Sequence, residues 1–124
     1  MTEIAIKPLP PQEVEQRLSR ELPGWRLVDG EIRRRFATHG WKGSLMVANV
    51  IGHLAEVAWH HPDLVVSYGG VEVRLSTHSP KGITDRDFAL AAQIDAVVLW
   101  RPAHAGILEG TPADPGAAYL KDKA

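Results

Sequence analysis

The 124-residue chain contains no cysteine, and that absence closes several routes at once. Disulfides, thiolate metal ligands and cysteine nucleophiles are all excluded, and a reducing compartment suits such a chain. Long apolar runs are missing too. No stretch approaches the ~20 residues needed to cross a bilayer. The opening residues, Met1-Thr2-Glu3-Ile4-Ala5-Ile6-Lys7-Pro8, lack the basic start and apolar run of a secretory signal. No membrane attachment is expected, and the expected location is the cytoplasm. Nor is there an excess of positive charge. Fourteen basic against 15 acidic residues leave a net charge of −1 with neutral histidines, whereas a protein that grips nucleic acid by its phosphates usually shows a basic face. The dense basic cluster Arg33-Arg34-Arg35 falls in a predicted strand, whose alternate residues point to opposite faces. It reads as solvated edge charge, and no nucleic-acid partner is expected.

What is present supports one folded domain over residues 1–124. The 44% hydrophobic content suits a chain of this size, which hides roughly two-thirds of its unfolded surface on folding. Val14, Leu18 and Leu22 recur four apart after Pro10-Pro11 and before Pro23-Gly24, predicting a helix over 12–22. Two strands, 25–28 and 32–36, flank Asp29-Gly30, a strong hairpin pair. The clearest helix spans 44–61, where Val47, Val50, Ile51, Leu54, Val57 and Ala58 define a wide apolar stripe and Pro62 ends it. A second hairpin pairs 64–68 with 71–78 across Gly69-Gly70. In its return strand Val71, Val73, Leu75 and Thr77 face one way and Glu72, Arg74, Ser76 and His78 the other. Thr84 caps a last helix running to Trp100, with Phe88, Ala91, Ala92, Ile94, Val97 and Val98 inward. The order α-β-β-α-β-β-α predicts an α+β fold, a four-stranded antiparallel sheet with three helices on one face. Its two edges favour pairing of copies into a homodimer or tetramer. Residues 102–124 show no period and read as an extended C-terminal tail on the surface or on a neighbour.

Chemistry gathers around histidine. Glu56 and His60 sit four apart on the predicted helix and share a face. His61 follows and is swung away by Pro62, and His78 ends the fourth strand. Packed side by side, His60, His61 and His78 would surround a small molecule. Histidine's ordinary pKa of ~6.5 lets it give or take a proton near neutral pH. Two imidazoles on opposite sides of a substrate can protonate a leaving hydroxyl and remove a proton elsewhere, which is what a dehydration needs. Neither nucleophile nor cofactor is required. Structural readings stand beside this one. His60-His61 suits a polar helix end, Glu56 and His60 suit a surface pair, Thr84 to Asp87 fits a capping box, and Trp59 reads as core or interface. Three histidines and a carboxylate also match zinc ligands in type. However, the helical pair of histidines four apart with a glutamate between is absent, and no metal is expected.

Taken in order, Glu56, three residues, His60-His61-Pro62, five residues, Tyr68, nine residues, His78, eight residues and Asp87 resemble the signature of the pterin-4a-carbinolamine dehydratase family. Leu75-Ser76-Thr77-His78 and Thr84-Asp85-Arg86-Asp87 flank it in the family's style, and the likeness covers about residues 10 to 100. The resemblance implies removal of water from 4a-hydroxytetrahydropterin to give quinonoid dihydropterin, with no metal and no cofactor. It implies that His60 and His78 form the acid–base pair, that His61 binds the pterin ring and shares in proton transfer, and that Glu56 and Asp87 orient histidines or substrate. It also implies assembly by joining sheets. Leu64 stands where many members carry an aromatic residue, and the tail exceeds the compact enzymes. In those respects the chain resembles a pterin-dehydratase-like branch that includes Rubisco assembly factors of α-carboxysome systems and chloroplasts. That branch implies a chaperone role, Rubisco as partner and a carboxysome-associated location.

Overall fold

The structure, a computed structural model, describes residues 6–114 and 116–121. Helix α1 (Pro11–Glu21) carries proline in its first turn, where a missing N–H costs no hydrogen bond. Val14 and Leu18 form its buried stripe, and the Leu22 amide closes it on the Leu18 carbonyl at 2.9 Å. Strands β1 (Arg26–Val28) and β2 (Glu31–Ala37) are joined by Asp29 and Gly30 alone, both at positive φ, 51° and 77°. Two successive left-handed residues are what a tight type I′ hairpin demands, hence Asp-Gly. Helix α2 (Trp41–Ala58) follows, then β3 (Asp63–Ser67), β4 (Gly70–Leu75), a short hairpin of β5 (Thr77–His78) and β6 (Lys81–Gly82), and helix α3 (Asp85–Val98).

The main sheet has the order β1-β2-β4-β3, antiparallel throughout. Ile32, Phe36, Val71, Val73 and Leu75 on its inner face are 0% exposed. They pack against Val14 and Leu18 of α1, Val47 and Ile51 of α2, and Phe88, Ala91 and Ile94 of α3. Burying each of the valine, leucine, isoleucine and phenylalanine side chains stabilises the fold by about 1.5–3 kcal/mol. The expected α+β fold, a four-stranded antiparallel sheet with three helices in the order α-β-β-α-β-β-α, is what forms; β5 and β6 are an addition.

Several local expectations are corrected. Helix α2 starts and stops three residues earlier than 44–61. Its buried ridge is Ser44, Val47, Ile51 and Ala55, while Val50, Val57 and Ala58 turn outward, Val57 at 72% exposure. In α3, Ala92 and Val97 also face outward. The second main hairpin turns on Tyr68-Gly69, with Gly70 already in β4. The strand predicted over 71–78 breaks at Ser76, and Thr77 and His78 leave the main sheet to pair with Gly82 and Lys81.

The arginine run does not lie on an edge strand, and although Arg35 is exposed, Arg34 is not solvated charge. β2 lies between β1 and β4, and Arg34 stands opposite Val73 on the sheet's inner face. Its guanidinium lies 4.6 Å from the Phe36 ring centroid and 3.5 Å from Asp95 Oδ2, with the side chain 14% exposed. Trp25 Nε1 donates to the other Asp95 oxygen at 3.0 Å. A planar cation over an aromatic face is a favourable way to bury arginine.

The tail returns to its own domain. The Lys121 amide donates to the Ala37 carbonyl and the His39 amide to the Tyr119 carbonyl, both at 2.8 Å, with Leu120 bridged to Thr38. Pairing of β1 with β2 stops at Arg33, so this short strap takes the part of the β2 edge that β1 leaves open. Gly43 lies beneath it: a Cβ there would sit 2.7 Å from the Tyr119 carbonyl oxygen. Residues 122–124 of the predicted tail lie outside the described residues.

Candidate active site

The end of α2 positions the two adjacent histidines. The Trp59 amide bonds the Glu56 carbonyl at 3.3 Å and the His60 amide the Ala55 carbonyl at 3.1 Å. Together these are the two hydrogen bonds of a Schellman motif. Its left-handed position is filled by Trp59, at φ 52° and ψ 46°, where glycine is usual; the conformation costs other residues about 1–2 kcal/mol. The chain reverses there, so His60 and His61 leave the helix in different directions. The expected pairing of Glu56 with His60 is therefore replaced: His61 Nε2 lies 2.7 Å from Glu56 Oε1, and His60 is free to turn toward α3.

Asp87 receives it. His60 Nε2 lies 2.6 Å from Asp87 Oδ1, and Asp87 is 0% exposed. Its other oxygen, Oδ2, accepts from Thr77 Oγ1 at 2.7 Å and from the Thr84 amide at 2.9 Å. Thr77 and Thr84 hydroxyls are 2.7 Å apart, and Thr84 Oγ1 accepts from the Arg86 amide at 3.2 Å. Each hydroxyl has one proton to give, so the order is set: Arg86 amide to Thr84, Thr84 to Thr77, Thr77 to Asp87. The predicted capping box is present, and the same carboxylate also holds an imidazole. With Asp87 as carboxylate, an acceptor only, the proton belongs on His60 Nε2, which leaves Nδ1 as the ring's free nitrogen.

Of the five residues picked out by spacing, four thus form two pairs, His60 with Asp87 and His61 with Glu56. The second pair is solvent-facing, with side chains 49% and 67% exposed. His78 belongs to neither. It is exposed at the tip of the β5–β6 hairpin, next to the buried Thr77 that bonds Asp87. Its ring makes no hydrogen bond among the described residues. Among them, too, no group of three or more histidine, aspartate or glutamate side chains is arranged to hold a metal ion. Two contributors escaped the sequence. Thr77 read as one more inward strand residue, although a hydroxyl in an apolar row was the available signal. Trp59 is not the core residue it could have been, being 76% exposed in the single chain, and its ring meets the His61 ring edge-on at 5.0 Å and 82°. Beside His60 a cavity of about 560 Å³ opens between α2 and α3, walled by Leu54, Val57, Trp59, Arg86, Leu90 and Gln93 among others.

Residues 7–97 match the family model described as pterin 4 alpha carbinolamine dehydratase. The chain belongs to that family. It is 44% identical over 93 residues to a provisionally named pterin-4-alpha-carbinolamine dehydratase of Aquifex aeolicus, covering 75% of this chain and 93% of that one. Against a provisionally so named protein of Rubrobacter xylanophilus the identity is 41% over 91 residues, covering 73% and 84%. A crystal structure titled transcriptional coactivator/pterin dehydratase, from Brucella melitensis, superposes with a TM-score of 0.67 at 31% identity, covering 74% of this chain and 99% of that one. The dehydratase-family match ends at residue 97, so the strap residues Tyr119 to Lys121 lie beyond it.

Proposed function

We propose that this protein dehydrates a 4a-hydroxytetrahydropterin to the quinonoid dihydropterin by histidine acid–base catalysis. The C4a–O bond breaks, a ring nitrogen gives up its proton, and the hydroxyl leaves as water. Proton transfer carries the whole step, so the reading calls for no metal and no cofactor. His60 and His78 form the acid–base pair, His61 binds the pterin ring and shares in proton transfer, and Glu56 and Asp87 orient the imidazoles. The observation that carries this is the His60–Asp87 contact: a buried carboxylate, itself held by two donors, fixes one ring nitrogen and leaves the other available. The test is a dehydration assay with purified protein. His78→Ala is expected to lower the rate by ~10²–10⁴-fold; full activity in that variant would remove His78 from the mechanism. Self-association through the open β3 edge accompanies this reading, and a monomer by sedimentation at micromolar concentration would contradict it.

A second reading attaches to the tail. Trp100, Pro102, Leu108, Pro112, Tyr119 and Leu120 line part of a cavity of about 620 Å³ outside the family match. That favours a binding role, and the resemblance of the tail to the assembly-factor branch supplies Rubisco as the proposed partner and the carboxysome as the proposed location. Deleting residues 102–124 is then expected to abolish rescue of soluble Rubisco, while replacing His60 and His78 is not. No helix among the described residues is long and apolar enough to cross a membrane.

A further inference from the structure

We infer that Trp59 is a positioning residue that sets the ring plane of His61. The inference rests on the proposed role of His61 only for its effect on turnover.

Folding alone gives little reason for tryptophan at this point. The position is the left-handed residue of a Schellman motif, with φ at 52°, and glycine fits there without steric cost. The indole adds nothing to the core, since it is 76% exposed. A bulky side chain in a disfavoured backbone well, left in solvent, points to something other than stability.

What the indole does touch is His61. The rings meet at 82° with centroids 5.0 Å apart, an edge-to-face arrangement. Among the described residues His61 has one other side-chain restraint, the 2.7 Å contact between its Nε2 and Glu56 Oε1. That pair is solvent-facing, and a single contact to one atom leaves the imidazole free to swing about the Nε2···Oε1 line. A solvent-exposed contact of this kind is a weak restraint on its own. The indole supplies the second restraint, off that line. Ring orientation then follows from two fixed points, both on the final turn and cap of α2. The same indole walls the cavity that reaches His60, so a planar ligand there would meet a surface already ordered.

The test uses the full chain with Trp59→Gly and Trp59→Phe. In ligand-free protein, the His61 ring-proton resonances are expected to move in Trp59→Gly and return part-way in Trp59→Phe, with those of His78 unchanged. Trp59→Gly is expected to raise the melting temperature by about 2–6 °C by relieving the left-handed strain. In turnover it is expected to lower kcat on the order of tenfold, with KM changing less, and Trp59→Phe to restore most of the loss. Unmoved His61 resonances in Trp59→Gly would overturn the assignment. So would a lower melting temperature together with dissociation of an oligomer, which would make Trp59 an interface residue. Wild-type protein without dehydratase activity would remove the proposed function, while the resonances would still decide the role of Trp59.

Discussion

His60 and Asp87, 27 residues apart, meet at 2.6 Å across the junction of α2 and α3. One carboxylate thereby serves as the N3 group of a helix cap and as the anchor of an imidazole. The cap and the proposed chemistry share an atom set, so a substitution there tests both.

Asp87→Asn keeps the volume but offers an amide where the carboxylate stood. It is expected to cost about 1–3 kcal/mol of stability through the disturbed buried hydrogen bonds. It is also expected to lower dehydration by ~10²–10⁴-fold by releasing the His60 tautomer. Chemical denaturation measures the first effect and ¹⁵N shifts of the His60 ring the second. An unchanged tautomer would detach Asp87 from the chemistry.

Thr77→Val removes the hydroxyl that donates to Asp87 Oδ2 without changing side-chain shape. A loss of about 1–3 kcal/mol is expected, because Thr84 Oγ1 and Asp87 both lose a buried partner. Turnover is expected to fall less than in Asp87→Asn, since the Thr84 amide still holds Oδ2.

At Gly43 helix propensity and packing oppose each other. Alanine is worth ~1 kcal/mol over glycine inside a helix, yet its Cβ would meet the Tyr119 carbonyl at 2.7 Å. Gly43→Ala is therefore expected to lift the strap and expose the His39 and Lys121 amides, read as faster hydrogen exchange at both. Protection equal to wild type would show that the helix shifts instead.

Acid is expected to weaken the outer sheet face. Arg74, hydrogen-bonded at 2.8 Å, holds the Glu72 carboxyl below the usual carboxylate range, and Arg17 does the same to Glu21. A depressed folded value means that the contribution is present above the unfolded pKa and lost as pH falls through the folded one. Glu72→Gln is expected to lower the melting temperature near neutrality, where the wild-type pair contributes, and to flatten its decline below about pH 4.5 so that the two curves converge in acid. An identical acid limb would remove this pair from the account.

Where residue type and local geometry agree, the chain was legible. Asp29-Gly30 announced its hairpin, Pro10-Pro11 and Pro23-Gly24 bracketed α1, and Thr84 to Asp87 announced the cap of α3. Errors arose where geometry departs from what the residue type advertises. Pro62 is a visible helix stop, but the true stop is Trp59, whose left-handed conformation no rule for tryptophan predicts. That one misplacement turned the Glu56 partner from His61 into His60. Arg34 was misread because charge usually marks the wet face, and only the β2–β4 register places it opposite Val73. Asp87 was correctly seen as a cap, and the same carboxylate also holds the His60 ring. That it does both at once needed the distances.

The most direct measurement is the single-turnover rate of 4a-hydroxytetrahydropterin dehydration with wild-type protein, with His60→Ala and in buffer alone. Wild type is expected to exceed buffer clearly, and His60→Ala to fall toward it by ~10²–10⁴-fold. A wild-type rate equal to buffer, or a His60→Ala rate equal to wild type, would contradict the account.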